Sequence, residues 1–251
     1  MFKSVLEWLY PENISCILCN RPIYKSNTYS MCRYCFEEIN FILDGCSKCG
    51  KFIKNYSLEK EFLTGCSFCY KKNFYFDRAI SCIEYDDVSK RLVLDLKYSR
   101  KTYIAKYAAQ IMSEKLELEE LEFDYINSVP LHKKRYDKRG FNQSEKIASR
   151  LSEIINVPLV DCVKRTKNTE MLYKLEKGNR EKELRGAFEL GEDIELVQGK
   201  RILIVDDVFT TGATVNEISK LLKLNGVDEI YVMTLLTKSS KKYVEDDGEI
   251  S

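Results

Sequence analysis

The chain has 251 residues, of which 44% are hydrophobic and 31% are charged, and its formal net charge is +1 at pH 7. This balance excludes a basic surface over the whole chain, so any surface for nucleic acid must be local. No apolar run is long enough to cross a bilayer, and we expect no membrane insertion and a cytoplasmic location. Residues 1–13, in which Glu7 interrupts an apolar stretch, predict a short amphipathic helix and not a signal peptide.

Eight of the ten cysteines lie between residues 16 and 69, in four Cys-x-x-Cys pairs. Two such pairs complete a tetrahedral set of thiolates, the closed form of a zinc site, so the pattern predicts two structural Zn²⁺ ions. We expect the pairs to combine in chain order. An interleaved combination and an iron–sulfur cluster are alternatives, and disulfides are disfavoured in a reducing compartment. The expected sets are Cys16, Cys19, Cys32 and Cys35, and then Cys46, Cys49, Cys66 and Cys69.

The two remaining cysteines, Cys82 and Cys162, lie in apolar segments and are expected to be buried core residues. The paired cysteines define a predicted zinc-binding domain over residues 1–76. It has too few apolar residues for a core of its own, so metal binding is expected to supply much of its folding free energy.

Many residues around the paired cysteines are cationic or aromatic. They suit single-stranded DNA, because rings stack on bases and cations meet phosphates. The alternative is that they only solvate a small fold held by metal. These residues are Arg21, Tyr24, Lys25, Tyr29, Arg33, Tyr34, Lys48, Lys51, Phe52, Lys54, Tyr56, Lys71, Lys72, Phe74 and Tyr75.

Regular alternation of strands and helices begins near Asp77 and predicts an α/β fold with a mostly parallel sheet and helices on both faces. This second domain is expected to span residues 77–237, with a polar, basic loop over 132–140. The charged residues 238–251 predict a disordered tail. The predicted strands cover 79–85, 124–131, 157–160, 186–190, 201–205 and 229–236, and the predicted helices cover 88–97, 103–116, 144–155 and 213–224.

Residues 201–214 (RILIVDDVFTTGAT) carry the strongest functional signal. Four apolar residues predict a buried strand, Asp206 and Asp207 follow it, and a loop of small residues opens a helix. Ligands of open α/β sheets bind at the carboxyl ends of strands, and the free N–H groups at a helix start suit an anion. The small loop residues allow a phosphate to approach the backbone, and the acids suit sugar hydroxyls or a Mg²⁺ ion shared with them. The pattern therefore predicts a site for a phosphorylated sugar.

Two further segments are rich in cations. Residues 97–101 (KYSRK) lie between two predicted helices and suit a pyrophosphate. Residues 130–145 (PLHKKRYDKRGFNQSE) follow a predicted strand, and we expect a mobile, cationic loop that folds over a polyphosphate. His132, the only histidine, is expected to be a loop residue and not a general base.

Residues 202–214 resemble the phosphoribosyl-pyrophosphate (PRPP) motif of type I phosphoribosyltransferases, and residues 1 to about 237 together resemble the ComF-type competence proteins. The second resemblance rests on the cysteine pairs, on Leu96-Lys97-Tyr98, on VPLHKKRYDKRGFNQSE, on the RGAF that ends residues 180–188, and on DDVFTTGAT. It implies a zinc-binding domain fused to a type I phosphoribosyltransferase fold. It also implies a role in natural transformation, in which single-stranded DNA reaches the cytoplasm.

The resemblance further implies a set of site residues. Mg²⁺ would bind together with PRPP, Asp206 and Asp207 would be the catalytic pair that holds the ribose hydroxyls, and Lys97 and Arg139 would neutralise the departing pyrophosphate. The implied PRPP-binding residues are Lys97, Tyr98, Arg139, Asp206, Asp207, Val208, Phe209, Thr210, Thr211, Gly212, Ala213 and Thr214.

Three functions follow from these features. In the first, the protein is a competence factor that handles incoming single-stranded DNA and binds PRPP with Mg²⁺. In the second, it is an active phosphoribosyltransferase with an unidentified acceptor; the lack of a clear base-recognising residue weakens this function. In the third, the fold is a scaffold for a DNA helicase or other competence proteins; the intact acidic pair argues against it. The local basic and aromatic residues favour the first function, that of a competence factor.

Overall fold

The structure is a computed structural model that describes residues 14–53, 65–168 and 183–238. The helix predicted over residues 1–13, the residues Lys54 and Tyr56, and the tail beyond Lys238 lie outside these ranges. Within them, the helices are too short or too polar to span a bilayer.

A five-stranded parallel sheet with the order β1-β7-β6-β2-β3 forms the centre of the fold, and β4 and β5 form a separate antiparallel pair. The main-sheet strands are β1 (Arg78–Glu84), β2 (Tyr125–Ser128), β3 (Leu159–Val160), β6 (Arg201–Phe209) and β7 (Glu229–Thr237), and the pair is β4 (Val163–Arg165) and β5 (Phe188–Leu190). The helices are α1 (Arg33–Glu37), α2 (Lys90–Tyr98), α3 (Ile104–Glu119), α4 (Lys133–Arg139), α5 (Gln143–Ile155) and α6 (Ala213–Leu224), with 3₁₀ turns at Thr28–Ser30 and Ile194–Val197.

The sheet is covered on both faces, as the alternation of strands and helices predicts. Successive side chains of a strand point to opposite faces. Leu203 and Val205 of β6 accordingly pack in one apolar cluster with residues of α2, α3 and α5. Ile202 and Ile204 pack in the other cluster with residues of α6 and β5. The α/β fold class with a mostly parallel sheet is confirmed.

The basic segment 132–140 differs from its prediction, because it contains the helix α4 and not a loop. His132 caps this helix, since its Nδ1 accepts the backbone N–H of Lys134 at 3.2 Å. Gly140 ends it in the left-handed region, with φ of 84°, and its N–H donates to the carbonyl of Tyr136. A capping side chain and a terminal glycine outweigh the charge repulsion that made this segment resemble a loop.

Two strand predictions also change. The strand predicted at 201–205 extends to Phe209, because Val208 and Phe209 continue the ladder opposite Leu236 and Thr237 of β7. The acidic pair therefore lies inside β6 and not after it. The strand predicted at 186–190 is present as β5, but it pairs with β4 outside the main sheet.

The cysteine-rich part covers the open edge of β1. Phe41 forms a bridge with Ile83, the N–H of Ile42 donates to the carbonyl of Cys82 at 2.8 Å, and the N–H of Ala79 donates to the carbonyl of Lys48 at 3.0 Å. An uncovered edge strand offers unpaired backbone groups to other chains, so this contact also protects the sheet. Cys82 and Cys162 are buried, as predicted.

Candidate functional site

The eight paired cysteines form two sets of four, Cys16/Cys19/Cys32/Cys35 and Cys46/Cys49/Cys66/Cys69, and the sulfurs of each set lie within 4.8 Å of one another. The sulfur–sulfur distances include 3.6 Å between Cys19 and Cys32 and 3.7 Å between Cys49 and Cys66. Zn–S bonds of about 2.3 Å in a tetrahedron place the sulfurs roughly 3.8 Å apart, so both sets fit zinc. The predicted pairing in chain order is confirmed, and the interleaved alternative is wrong.

The turns that carry the first pair of each set share one conformation. Asn20 and Gly50 each follow the second cysteine with a positive φ, 59° and 68°, and their N–H groups donate to the carbonyls of Cys16 and Cys46. The two sets differ in exposure, because Cys19 and Cys32 are half-buried whereas all four cysteines of the second set are buried.

The acidic pair at the carboxyl end of β6 engages two different helices. Asp206 Oδ1 accepts the hydroxyl of Ser144, in the first turn of α5, at 2.8 Å, and it also accepts the N–H of Asp207 at 2.9 Å. The buried Asp207 forms an ion pair with Lys97 near the end of α2. Burial and, to a smaller extent, the charge of Asp207 raise the pKa of Asp206 to about 7. The hydrogen bond from Ser144 and the charge of Lys97 oppose this rise. The carboxyl of Asp206 therefore loses its proton near neutral pH.

The small-residue loop after β6 is shaped by aromatic packing. Gly212 has φ of 80°, and a Cβ placed there would lie 2.7 Å from the ring of Phe209 and 3.3 Å from the ring of Phe74. Thr211 Oγ1 accepts the N–H of Ala213 at 3.4 Å, and α6 begins at Ala213 as predicted. Thr210 and Thr214 are half-buried at the edge of the loop. Glycine is therefore needed at 212 for close packing as well as for its backbone conformation.

The other predicted site residues lie at the same edge of the sheet or beside it. The guanidinium of Arg139 lies 5.6 Å from the ring centroid of the exposed Tyr98, and it donates to Gln143. Val208 is partly buried against the core, and Phe209 is buried, so the Phe209 ring is turned away from any ligand in solvent. Lys101, from the cationic segment 97–101, pairs with Asp95 at 2.7 Å. Its positive charge is therefore already compensated.

Two polar residues of this region escape the sequence reasoning. One is Ser144, which holds Asp206. The other is Arg165, whose guanidinium lies 5.4 Å from the ring centroid of Phe188. Burial and the charge of Arg135 lower the pKa of Arg165 to about 10, and the charge of Asp206 opposes this shift. Arg165 also lines a cleft of about 740 Å³ between α4 and the β3–β4 segment. The run of cationic and polar residues around it, Lys164-Arg165-Thr166-Lys167, gives no local signal that this arginine turns inward.

The cations and rings of the cysteine-rich part divide into two groups. Tyr24 and Tyr34 are 83% and 63% exposed, and Arg21 lies 5.9 Å from the ring centroid of Tyr34. Lys51, in contrast, is 0% exposed, so its inclusion among residues suited to DNA is wrong. Lys48 donates to the carbonyl of Lys72 at 2.9 Å. Among the described residues of the cysteine-rich part, the exposed group is the one that can meet a nucleic acid.

Two family models match the chain, a phosphoribosyl transferase domain over residues 137–251 and a double zinc ribbon domain over residues 5–73. Competence protein F of Haemophilus influenzae is 30% identical over 233 residues, which cover 89% of this chain and 96% of that protein. DNA utilization protein YhgH of Escherichia coli K12 is 32% identical over 231 residues, with coverages of 88% and 95%. Competence protein ComFC of Streptococcus pneumoniae is 25% identical, with coverages of 89% and 100%.

Among solved structures, the purine phosphoribosyltransferase of Pyrococcus horikoshii Ot3 aligns with 53% of this chain and 73% of its own, at 22% identity and a TM-score of 0.34. This similarity is too low to add to the match of the family model. The double zinc ribbon model and the two sets of four cysteines together support structural zinc in this chain.

Proposed function

The chain belongs to the ComF family, with Competence protein F, YhgH and ComFC among its relatives, and we propose that it is a competence factor that handles incoming single-stranded DNA in natural transformation. In this proposal, the phosphoribosyltransferase fold binds PRPP with Mg²⁺, and the zinc ribbons contribute the DNA surface. The observation that supports the ligand site most directly is the cluster of Asp206, Asp207 and Lys97 at the carboxyl edge of the sheet.

The donor chemistry of this edge fits a phosphorylated sugar with its metal. Carboxylate oxygens are the ligands that Mg²⁺ prefers in proteins, so Asp206 and Asp207 would hold the ribose hydroxyls and the hydrated ion. The hydroxyls and backbone N–H groups of residues 210–214 would bind the 5′-phosphate. When bound, Mg²⁺ supplies positive charge that offsets the pyrophosphate.

The proposed DNA surface consists of exposed rings with neighbouring cations. Arg21 accompanies Tyr34, and Lys71 lies 5.3 Å from the ring centroid of the exposed Tyr70. Bases stack on such rings without regard to sequence, while the cations meet the phosphates. Because the net charge of the chain is only +1, the attraction to DNA phosphates must come from local cations such as these.

Calorimetric titration of PRPP into the full chain, with and without Mg²⁺, tests the ligand site. We expect saturable binding that requires Mg²⁺ and that is lost in the double variant Asp206→Asn/Asp207→Asn. Asp87→Asn is the control, because Asp87 is an exposed acid that pairs with Lys90 at the start of α2. Unchanged PRPP affinity in the double variant would contradict the site.

Fluorescence anisotropy of a labelled oligonucleotide tests the DNA surface. We expect Tyr34→Ser to weaken binding by about fivefold or more, since stacking contributes about 1–3 kcal/mol per base. Tyr103→Ser is the matched control, because Tyr103 is also half-exposed but lies just before α3. Binding should fall steeply between low and physiological salt. No binding even at low salt would remove the DNA role.

The second candidate function is transfer of ribose 5-phosphate from PRPP to an acceptor. The cleft of about 740 Å³ favours it, because Asn142 and Arg165 line this space and the charge of Asp206 acts on Arg165. Pyrophosphate release from PRPP, measured with a panel of nucleobases and with single-stranded DNA, tests this function. Release that depends on one acceptor would establish a transferase and name its substrate class.

A further inference from the structure

Lys51 is a fully buried lysine in the first turn of the second zinc ribbon, two residues after Cys49. Its carbonyl accepts the N–H of Cys46 at 2.8 Å, so its backbone belongs to the turn that carries two of the zinc ligands. Burial of an ammonium is costly unless the group finds polar or aromatic partners. The position of these partners therefore indicates what the side chain does.

The ammonium of Lys51 reaches the end of the main sheet. It donates to the carbonyl of Lys238, and it lies 3.5 Å from the hydroxyl of Thr237, the last residue of β7. The Thr237 hydroxyl donates to the carbonyl of Phe209 at 3.2 Å, and the N–H of Lys238 donates to the same carbonyl at 3.3 Å. Phe209 is the last residue of β6, directly before the loop 210–214. A chain of polar contacts thus joins the zinc turn to the start of this loop.

An aromatic contact joins the same two regions. The Lys51 ammonium lies 4.4 Å from the ring centroid of Phe68, which stands between Cys66 and Cys69, and 5.6 Å from that of Phe209. Phe209 meets Phe76 edge-on at 6.2 Å, and Phe76 stacks on Phe74 at 4.5 Å. The rings of Phe209 and Phe74 form the wall on which Gly212 packs.

The segment that follows the last cysteine also holds the start of α6. The N–H of Tyr75 donates to Asn216 Oδ1 at 2.7 Å, and Asn216 in turn donates its N–H to the carbonyl of Gly212. The loop 210–214 is therefore enclosed between Phe209 and Asn216, and residues anchored by the second set of cysteines contact both ends.

We propose that the second zinc ribbon positions the phosphate-binding loop 210–214, with Lys51 as the positioning residue that transmits the state of the Cys46/Cys49/Cys66/Cys69 site to Phe209. The inference depends on the proposed function only for the identity of the ligand, an anionic sugar phosphate with Mg²⁺. Lys51 contacts no ligand in this proposal, because it is buried behind Phe209. It acts by fixing the backbone from which the loop begins.

Hydrogen–deuterium exchange of the zinc-loaded full chain, without ligand, tests the inference independently of PRPP. Lys51→Met keeps the length and burial of the side chain but removes the ammonium. We expect the peptide over residues 208–216 to exchange about tenfold faster in this variant, while the strands β1 and β2 keep their protection. Lys48→Met is the matched control, since Lys48 lies in the same turn but donates to Lys72. It should match the wild-type exchange.

Zinc content and PRPP titration separate the possible outcomes. With two zinc ions retained and faster loop exchange, Lys51→Met should bind Mg²⁺–PRPP about tenfold more weakly at unchanged DNA affinity, since a displaced loop loses its oriented N–H groups. If the wild type binds no PRPP, the proposed ligand fails while the exchange result still decides the role of Lys51. Wild-type loop exchange in Lys51→Met with both zinc ions present would overturn the inference.

A second variant covers the case in which Lys51→Met does not fold. Thr237→Val keeps the shape of the side chain and removes the hydroxyl that lies between Lys51 and Phe209. We expect faster exchange in the same peptide, by about threefold, because one of the two hydrogen bonds to the Phe209 carbonyl is lost. Unchanged exchange in this variant would contradict the polar connection.

Discussion

The two zinc sites have the same ligands and the same turn conformation, but they support different parts of the molecule. Ile17, Leu18 and Met31 of the first site pack in the apolar cluster of α2 and α3, and Arg91 of α2 donates to the carbonyl of Leu18. The second site packs on the edge of β1, where Gly50 lies against the backbone of Ala79, and reaches Phe209 through Lys51. The same motif thus supports helices in one place and the start of a loop in the other.

The difference shows that a structural metal site acts through what it packs against. The first site remains partly open, with Cys19 and Cys32 half-buried, and it contacts elements whose apolar faces are already well packed. The second site is buried and carries a charged side chain to the end of β7, close to the ring of Phe209. Loss of metal at the two sites should therefore have different consequences for ligand binding.

The largest expected effect comes from Cys49→Ser compared with Cys16→Ser, both at fully buried positions. Each variant should lose one zinc ion and a large part of the free energy that such a site contributes, which is about 10–16 kcal/mol in isolated zinc fingers. Only Cys49→Ser should abolish Mg²⁺-dependent PRPP binding, because the second site holds the loop. Elemental analysis and calorimetry check both statements, and equal loss of PRPP binding in the two variants would erase the distinction.

A smaller effect is expected from variants of the acidic pair, which Lys97 of α2 contacts. Asp207→Asn leaves the Lys97 ammonium without its carboxylate in a mostly buried position, and should lower the free energy of unfolding by about 3 kcal/mol. Asp206→Asn removes a carboxyl whose charge is already disfavoured, so its free energy of unfolding at pH 8 should be equal to or above that of the wild type. Chemical denaturation of the pair measures this. A greater loss for Asp206→Asn would contradict the assignment of the ion pair.

Gly212→Ala tests the contact between the second ribbon and the loop. A Cβ at this position meets Phe209 at 2.7 Å, and the φ of 80° is unfavourable for alanine. We expect a loss of about 2 kcal/mol in stability, together with weaker PRPP binding. Gly140→Ala is a useful control, since Gly140 has φ of 84° but nothing within 4 Å of the added Cβ. Equal losses would assign the effect to backbone conformation and not to the aromatic wall.

The smallest expected effect is the pH dependence of PRPP binding at the carboxyl edge of the sheet. If Asp206 binds the ligand as a carboxylate, its raised pKa of about 7 leaves about half of the sites ionised at pH 7 and about a tenth at pH 6, so PRPP binding should weaken by about fivefold over that interval. Asp207, Lys97 and Arg165 are the charged groups around it. Calorimetry from pH 6 to 8 measures the profile, and a flat profile would contradict this role of Asp206.

The same pKa has a defined effect on stability. From the ordinary value near 4 up to about 7, the folded state keeps a proton that the unfolded state has released, so this carboxyl lowers the free energy of unfolding as the pH rises through that window. In Asp206→Asn this contribution disappears. The difference in stability between variant and wild type should therefore grow from pH 4 to pH 7 and then stay constant.

Local patterns were sufficient for much of the fold. The apolar run at 202–205, the start of α6 at Ala213 and the Cys-x-x-Cys spacing each depend on neighbours in the chain, and each is confirmed. The segment 132–140 was predicted wrongly, because its charges obscured the cap at His132 and the terminal Gly140. Both signals are present in the sequence, but the prediction gave more weight to the charges.

By itself, the sequence determined the two sets of zinc ligands, the alternation that builds a parallel sheet, and the acidic pair before a loop of small residues. Each of these depends on residue types at short spacing, which local geometry preserves. Only the tertiary structure decided that Ser144 holds Asp206, that Arg165 turns inward, and that Lys51 is buried behind Phe209. These contacts join residues from 30 to 186 positions apart, and burial and charge pairing at such distances depend on how whole elements pack.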